Sequence, residues 1–155
     1  MAQSDFLEIV AEVASVIGDQ PLDAGLETLL NDRFPSDGSV FTALSKLCAE
    51  GEAEGWLMAR EAGGIKFGRA VKPGAEAGAM SVDVVRMKNC AGPHHVHTTG
   101  EIGAVMPIDG QPTFDEKPVG WYVYGPGTDH HPTVSGGEAY VLYLLPDGQI
   151  EFTGK

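Results

Sequence analysis

The sequence predicts a mainly β protein with a helical N-terminal segment, in which residues 1–55 are helical and residues 56–155 form a small antiparallel β-barrel. Three observations carry this reading. Apolar residues recur at helical spacing through the first third of the chain. Beyond residue 56, short apolar alternations take over, separated by Gly, Pro and Asp. No helical pattern interrupts those alternations, so the strands must pair antiparallel, in a barrel or sandwich. A chain of 155 residues suits one compact unit with a sizeable core.

The first helix is expected over "SDFLEIVAEVASVIG", where Phe6, Ile9, Val10, Val13 and Val16/Ile17 share a face. Asp5 and Glu8 read as a capping box, and Gly18 as the stop. "DAGLETLLNDRF" gives a second helix, with Leu26, Leu29, Leu30 and Phe34 inward. "SVFTALSKLCAEGEAEG" gives a third, burying Val40, Phe41, Leu44, Leu47 and Cys48. Strands are expected at "WLMAR", "IKFGRAV", "SVDVVRMK", "HHVHTT", "EIGAVMPI", "GWYVYG", "EAYVLYLL" and "QIEFTG", the last two joined as a hairpin through "LPDGQ".

A net charge of −12 argues against nucleic acid and anionic membrane surfaces as partners. The N-terminus lacks the basic region of a signal peptide, and no apolar run approaches the ~20 residues of a membrane span, so a cytoplasmic protein is expected. Cys48 and Cys90 read as reduced thiols rather than a disulfide scaffold.

All five histidines lie between positions 94 and 131. In a strand, alternate side chains share a face, so His95 and His97 point one way and His94 and Val96 the other. Glu101 follows "TTG", a plausible bend that returns its carboxylate to the same side. His130 or His131 can join from a neighbouring strand. Imidazoles and a carboxylate converging inside a barrel make a site for a divalent transition metal, and iron(II), manganese, zinc and nickel all accept that donor set.

"HHVHTTGE" resembles the first motif of the cupins, H-x-H-x(3)-E, and "GWYVYGPGTDHH" the second, G-x(5)-P-x-G-x(2)-H. The resemblance implies a cupin-type barrel with His95, His97, Glu101 and His130 as metal ligands; it departs from the pattern at Asn89, Gly110 and Val134 and in the abutting Pro126 and Gly127, so His131 stays a rival to His130. A narrower resemblance, through "QPLDAGLETLLND", "GEIGAVMPIDG" and "GWYVYGPGTDHHPTVSGGEAYVLYLLPDGQIEF", is to the 4-hydroxylaminobenzoate lyase family, cupin-like bacterial proteins of nitroaromatic degradation. It implies conversion of 4-hydroxylaminobenzoate and water to 3,4-dihydroxybenzoate and ammonia. That reaction is redox-neutral, which agrees with the lack of a dinucleotide-binding G-x-G-x-x-G or a P-loop.

On that reading Glu101 is a ligand or the acid/base, with His94 a second catalytic candidate. The substrate is a small aromatic acid, so a cation must hold its carboxylate: Arg86 first, with Lys88 and Arg69 behind it. Trp121, Tyr122 and Tyr124 would line an aromatic pocket. Cupins commonly pair through barrel edges, so a homodimer is expected. Two other functions fit the same motifs. One is a non-haem iron cupin dioxygenase, which oxygen consumption would reveal. The other is a non-enzymatic cupin that binds a small ligand.

Overall fold

The computed structural model describes residues 2–155. Three helices come first, α1 (Ala2–Ile17), α2 (Ala24–Arg33) and α3 (Ser39–Glu54). The strands are β1 (Arg60–Ala62), β2 (Ile65–Val71), β3 (Met80–Ala91), β4 (His95–His97), β5 (Glu101–Phe114), β6 (Gly120–Tyr124), β7 (Thr128–His130), β8 (Thr133–Pro146) and β9 (Glu151–Phe152). The described residues contain no helix long and apolar enough to cross a membrane.

The expected barrel takes the form of two facing sheets in a jelly-roll-like arrangement. A large antiparallel sheet has the order β1-β2-β3-β8-β5-β6, and a small one the order β7-β4-β9. Both faces of the large sheet are covered, and the period of two decides which side chain serves which face. Val82, Val84, Ile102, Ala104, Met106, Trp121, Leu142 and Leu144 face the helices, where they pack with Phe6, Val10 and Val13 of α1, Leu26 and Leu30 of α2, and Phe41 and Leu44 of α3. The alternate residues Met87, Val105, Tyr122, Ala139 and Val141 face inward, toward the small sheet.

The helices seal one sheet edge. Strand β6 is an edge strand, and α2 lies beside it. Asn31 there imitates a missing strand: its Nδ2 donates to the Trp121 carbonyl and its Oδ1 accepts from the Trp121 N–H, both at 2.9 Å. Glu27 Oε1 accepts from the Val123 N–H at 3.0 Å. Asn31→Ala would strand both Trp121 backbone groups, so it should cost about 2–3 kcal/mol. In a thermal melt that is a fall of roughly 5–10 °C for a chain of this size; a shift under about 2 °C would deny the edge-sealing role.

Several local expectations are corrected. Asp5 lies inside the first turn of α1, which starts at Ala2, so Asp5 and Glu8 form no capping box. The α2 cap is instead Asp23, which accepts from the Leu26 N–H at 3.1 Å. "WLMAR" is not a strand up to Arg60: the Trp56 and Leu57 N–H groups close the end of α3 on the Gly51 carbonyl, and Leu57 and Met58 are buried. The turn at "LPDGQ" exists, with the Gly148 N–H on the Leu145 carbonyl, but β8 and β9 do not pair. The chain uses it to cross from the large sheet to the small one, where β9 joins β4.

Candidate metal centre

The site lies where the two sheets meet. Strand β4 turns His95 and His97 inward, with their Nε2 atoms 2.9 Å apart. Strand β7 pairs with β4 in a register that sets His130 opposite His95, and the His130 Nε2 is 2.9 Å from the His95 Nε2. After β4 the chain bends at Gly100, whose φ of +95° a residue with a side chain rarely adopts, and enters β5 at Glu101. The Glu101 Oε1 comes 3.2 Å from the His97 Nε2 and 3.9 Å from the His95 Nε2. One donor atom from each of His95, His97, Glu101 and His130 falls within 4.8 Å of the others. Three of the four residues are buried.

Hydrogen bonds behind the rings fix which nitrogen carries the proton. Thr128 spends its one hydroxyl hydrogen on the Gly125 carbonyl at 2.7 Å, so its oxygen must accept from the His97 Nδ1–H at 3.0 Å. The His130 Nδ1–H donates to Asp115, whose Oδ2 also accepts from the Tyr124 hydroxyl at 2.6 Å and whose Oδ1 accepts from the Thr133 N–H at 2.9 Å. Burial pushes the Asp115 carboxyl up, but the bonds from His130 and Tyr124 outweigh it and hold it below the usual carboxylate range. His97 and His130 therefore both present an Nε2 lone pair to the centre, as metal-ligating histidines do. A cation between them would satisfy these lone pairs together. Ligands at right angles around an ion at ~2.0–2.1 Å lie about 3 Å apart, which matches the Nε2 separations. The residues present fit a divalent transition ion.

Asp115 escaped sequence reasoning because nothing in "TFDEKP" ties an acid to a histidine fifteen positions on. Its role is testable with Asp115→Asn. The Thr133 N–H needs the remaining amide oxygen, so the amide nitrogen would face the His130 Nδ1 and force its proton onto Nε2. Metal affinity should fall about 10–100-fold in competition with a chromophoric chelator. Unchanged affinity would show that Asp115 does not orient His130.

Tyr122 donates its hydroxyl to the Glu101 Oε2 at 2.7 Å and is fully buried. Burial, then the Glu101 charge, pushes its phenol well above the ordinary value, so it stays a donor and leaves Oε1 as the free oxygen. Tyr124 stacks on His97 at 5.3 Å. Beside the cluster lies a cavity of about 230 Å³. His95, Glu101 and Tyr122 form its polar end, and Phe67, Val85, Met87, Phe114, Val141 and Tyr143 are among its walls.

Other expected site residues lie elsewhere. His94 faces away from the cluster, with its Nε2 2.8 Å from Asp129 and its ring 5.0 Å from that of His131. His94 and His131 flank β4 and β7 and take no part in the cluster, which His130 joins. Arg86 and Trp121 sit on the helix face of the sheet. Arg86 is bound to Glu52 at 2.6 Å and Glu138 at 2.9 Å, and the Trp121 indole donates to the Phe34 carbonyl at 3.1 Å. Neither they nor Lys88 line the cavity.

Burial depresses the His95 imidazole from its ordinary value to about 4. An imidazole whose value is lower folded than unfolded favours folding fully above the unfolded value of ~6.5. That contribution is lost as pH falls from there toward 4. The chelated protein should therefore lose thermal stability on acidification across this window, and His95→Gln should flatten that slope. An equally steep slope in the variant would assign the loss to other groups.

The family model described as PnbB, 4-hydroxylaminobenzoate lyase, matches residues 8–152. A 4-hydroxylaminobenzoate lyase of Pseudomonas putida is 26% identical over 168 residues, covering 97% of this chain and 95% of that one. Among solved structures, a double-stranded β-helix protein from Klebsiella pneumoniae is 17% identical with a TM-score of 0.47, covering 63% of this chain and 87% of its own. An RmlC-like cupin from Ralstonia eutropha is 14% identical with a TM-score of 0.46, covering 62% and 64%.

Proposed function

The chain belongs to the 4-hydroxylaminobenzoate lyase family, and on that premise we propose that it converts 4-hydroxylaminobenzoate and water to 3,4-dihydroxybenzoate and ammonia, using a divalent metal ion held by His95, His97, Glu101 and His130. The observation that carries the reading is the family match along nearly the whole chain, with this cluster inside the matched span.

The reaction balances without an external oxidant. The N–O bond breaks and its oxygen leaves as water. One water oxygen bonds to the ring carbon ortho to nitrogen. A second hydrolyses the resulting imine carbon and releases ammonia, so one water is consumed in all. The nitrogen gains the two electrons that the ring loses. A bound divalent ion would polarise oxygen and lower the pKa of its water toward ~7.

The chain's own residues supply position. The aliphatic and aromatic walls take the ring and exclude bulk water. Tyr122 holds Glu101 Oε2 in place, so Oε1 is the oxygen turned to the ion. Thr128 and Asp115 keep His97 and His130 in the ligating tautomer. A homodimer through the exposed strand edges belongs to the same reading.

The test is elemental analysis of the purified protein, then incubation with 4-hydroxylaminobenzoate with and without oxygen. Ammonia and 3,4-dihydroxybenzoate should form in equal amounts at the same rate in both. No ammonia from metal-replete protein would sink the proposal, and oxygen uptake coupled to turnover would favour the dioxygenase.

A further inference from the structure

We propose that a second cavity beside the metal centre is the anion subsite of this active site, with Arg69 receiving the substrate's carboxylate. This rests on the reading that the substrate is an aromatic acid. The cavity at the cluster has no lysine or arginine among its described lining residues, and its polar end carries Glu101. A carboxylate placed there would be desolvated beside a like charge. In a para-substituted benzoate, the carboxylate and the nitrogen lie at opposite ends of the ring. With the nitrogen at the metal cluster, the carboxylate must leave by the far side.

The second cavity lies on that side. It measures about 450 Å³ and shares Phe67, Tyr143, Ile150 and Phe152 with the first. Among the described residues, Arg60 and Arg69 are the cations that line it, and Arg60 is exposed on β1. The sheet register places Arg69 on the same inner face as the centre. Arg69 pairs with Asp83, Asp83 with Tyr143, Tyr143 with Gly103 and Gly103 with Tyr122. These five residues form one row across the inner face. Tyr122, at one end, holds Glu101; Arg69 stands at the other.

Arg69 is also prepared for an anion. Its Nε and Nη2 donate to the two oxygens of Asp83 at 3.1 and 3.3 Å, and Nη2 also reaches the Gly148 carbonyl at 3.4 Å. Its Nη1 has no protein acceptor among the described residues. The Arg69 side chain is 37% exposed and that of Asp83 11%, so Asp83 anchors the guanidinium from below while its outer edge faces the cavity. The Nη1 hydrogens left over suit a carboxylate oxygen.

The experiment measures binding rather than turnover, using 4-aminobenzoate and its neutral isostere 4-aminobenzamide, neither of which has an N–O bond to break. By calorimetry the wild-type protein should prefer the acid. Neutralising the pair together, Arg69→Gln with Asp83→Asn, avoids leaving Asp83 buried and unpaired. It should weaken the acid at least about tenfold and leave the amide unchanged. Asp83→Asn alone should tighten the acid, because it removes the competing carboxylate from Arg69. A merely structural ion pair would instead weaken both ligands in both variants. Wild-type affinity for the acid in the double variant, weaker acid binding in Asp83→Asn, or no preference for the acid in the wild type would overturn the proposal. Preference for the acid that depends on Arg69, without ammonia release from 4-hydroxylaminobenzoate, would fail the lyase reading and leave the subsite standing.

Discussion

His97→Ala is expected to give a folded protein that holds almost no metal and releases no ammonia. His97 is fully buried at the centre of the cluster, within 3.2 Å of Glu101 and 2.9 Å of His95. Its removal deletes a donor outright, so the loss of metal affinity should exceed the about 10–100-fold expected for a partner behind a ligand. The helix-side core holds no residue of the cluster, so the fold has its own source of stability. Metal-free His97→Ala should therefore melt close to the metal-free wild type. The metal-loaded wild type should melt higher than either, because the ion binds the folded chain alone. Elemental analysis, a thermal melt and an ammonia assay on one preparation check all three parts. A variant that retained both metal and ammonia release would refute the role given to the cluster.

How far the site was legible depended on how local its geometry is. His95 and His97 are two residues apart in a strand, and Glu101 follows one bend later, so spacing alone brings them together. Choosing His130 over His131 required the β4–β7 register, and β7 is three residues long and left no apolar pattern to read. The faces of Trp121 and Arg86 are hidden in the sequence for a different reason. In a sheet with one wet face, polarity tells the faces apart. Here helices cover one face and the cavity the other, so "GWYVY" is apolar throughout and does not reveal that Trp121 faces opposite to Tyr122 and Tyr124. The helices themselves were legible because α1 and α3 each bury one stripe. The β4 partner of the strand at "QIEFTG" is not legible, because a turn signal fixes a reversal of the chain and not the sheet that receives it.

Gly103→Ala should be among the most damaging single-methyl changes in this protein. Gly103 lies in β5 directly between Tyr122 of β6 and Tyr143 of β8. A Cβ there would overlap the Tyr122 ring at Cζ and its hydroxyl. The ring cannot step aside, since it stacks on Phe114 at 4.9 Å and abuts Tyr124 at 5.3 Å. Its hydroxyl is tied to Glu101. Overpacking a core of this kind costs about 1–3 kcal/mol, and losing a hydrogen bond to a carboxylate about 1.5–3 more. A total of about 3–5 kcal/mol corresponds to a fall in Tm of roughly 10–15 °C. Glu101 would also lose the donor that orients it, so metal affinity should fall together with stability. Gly103 lies outside the left-handed region, so an alanine there carries no backbone strain of its own and the cost is a clash with one named ring. Two further backgrounds separate the causes. In Tyr122→Phe the ring remains without its hydroxyl, so Gly103→Ala should there cost only the overpacking share, about 1–3 kcal/mol. In Tyr122→Ala the ring is gone, and the double variant should be at least about 2 kcal/mol more stable than the two single losses added together. Additivity within about 0.5 kcal/mol would mean that Gly103 is not there to admit Tyr122.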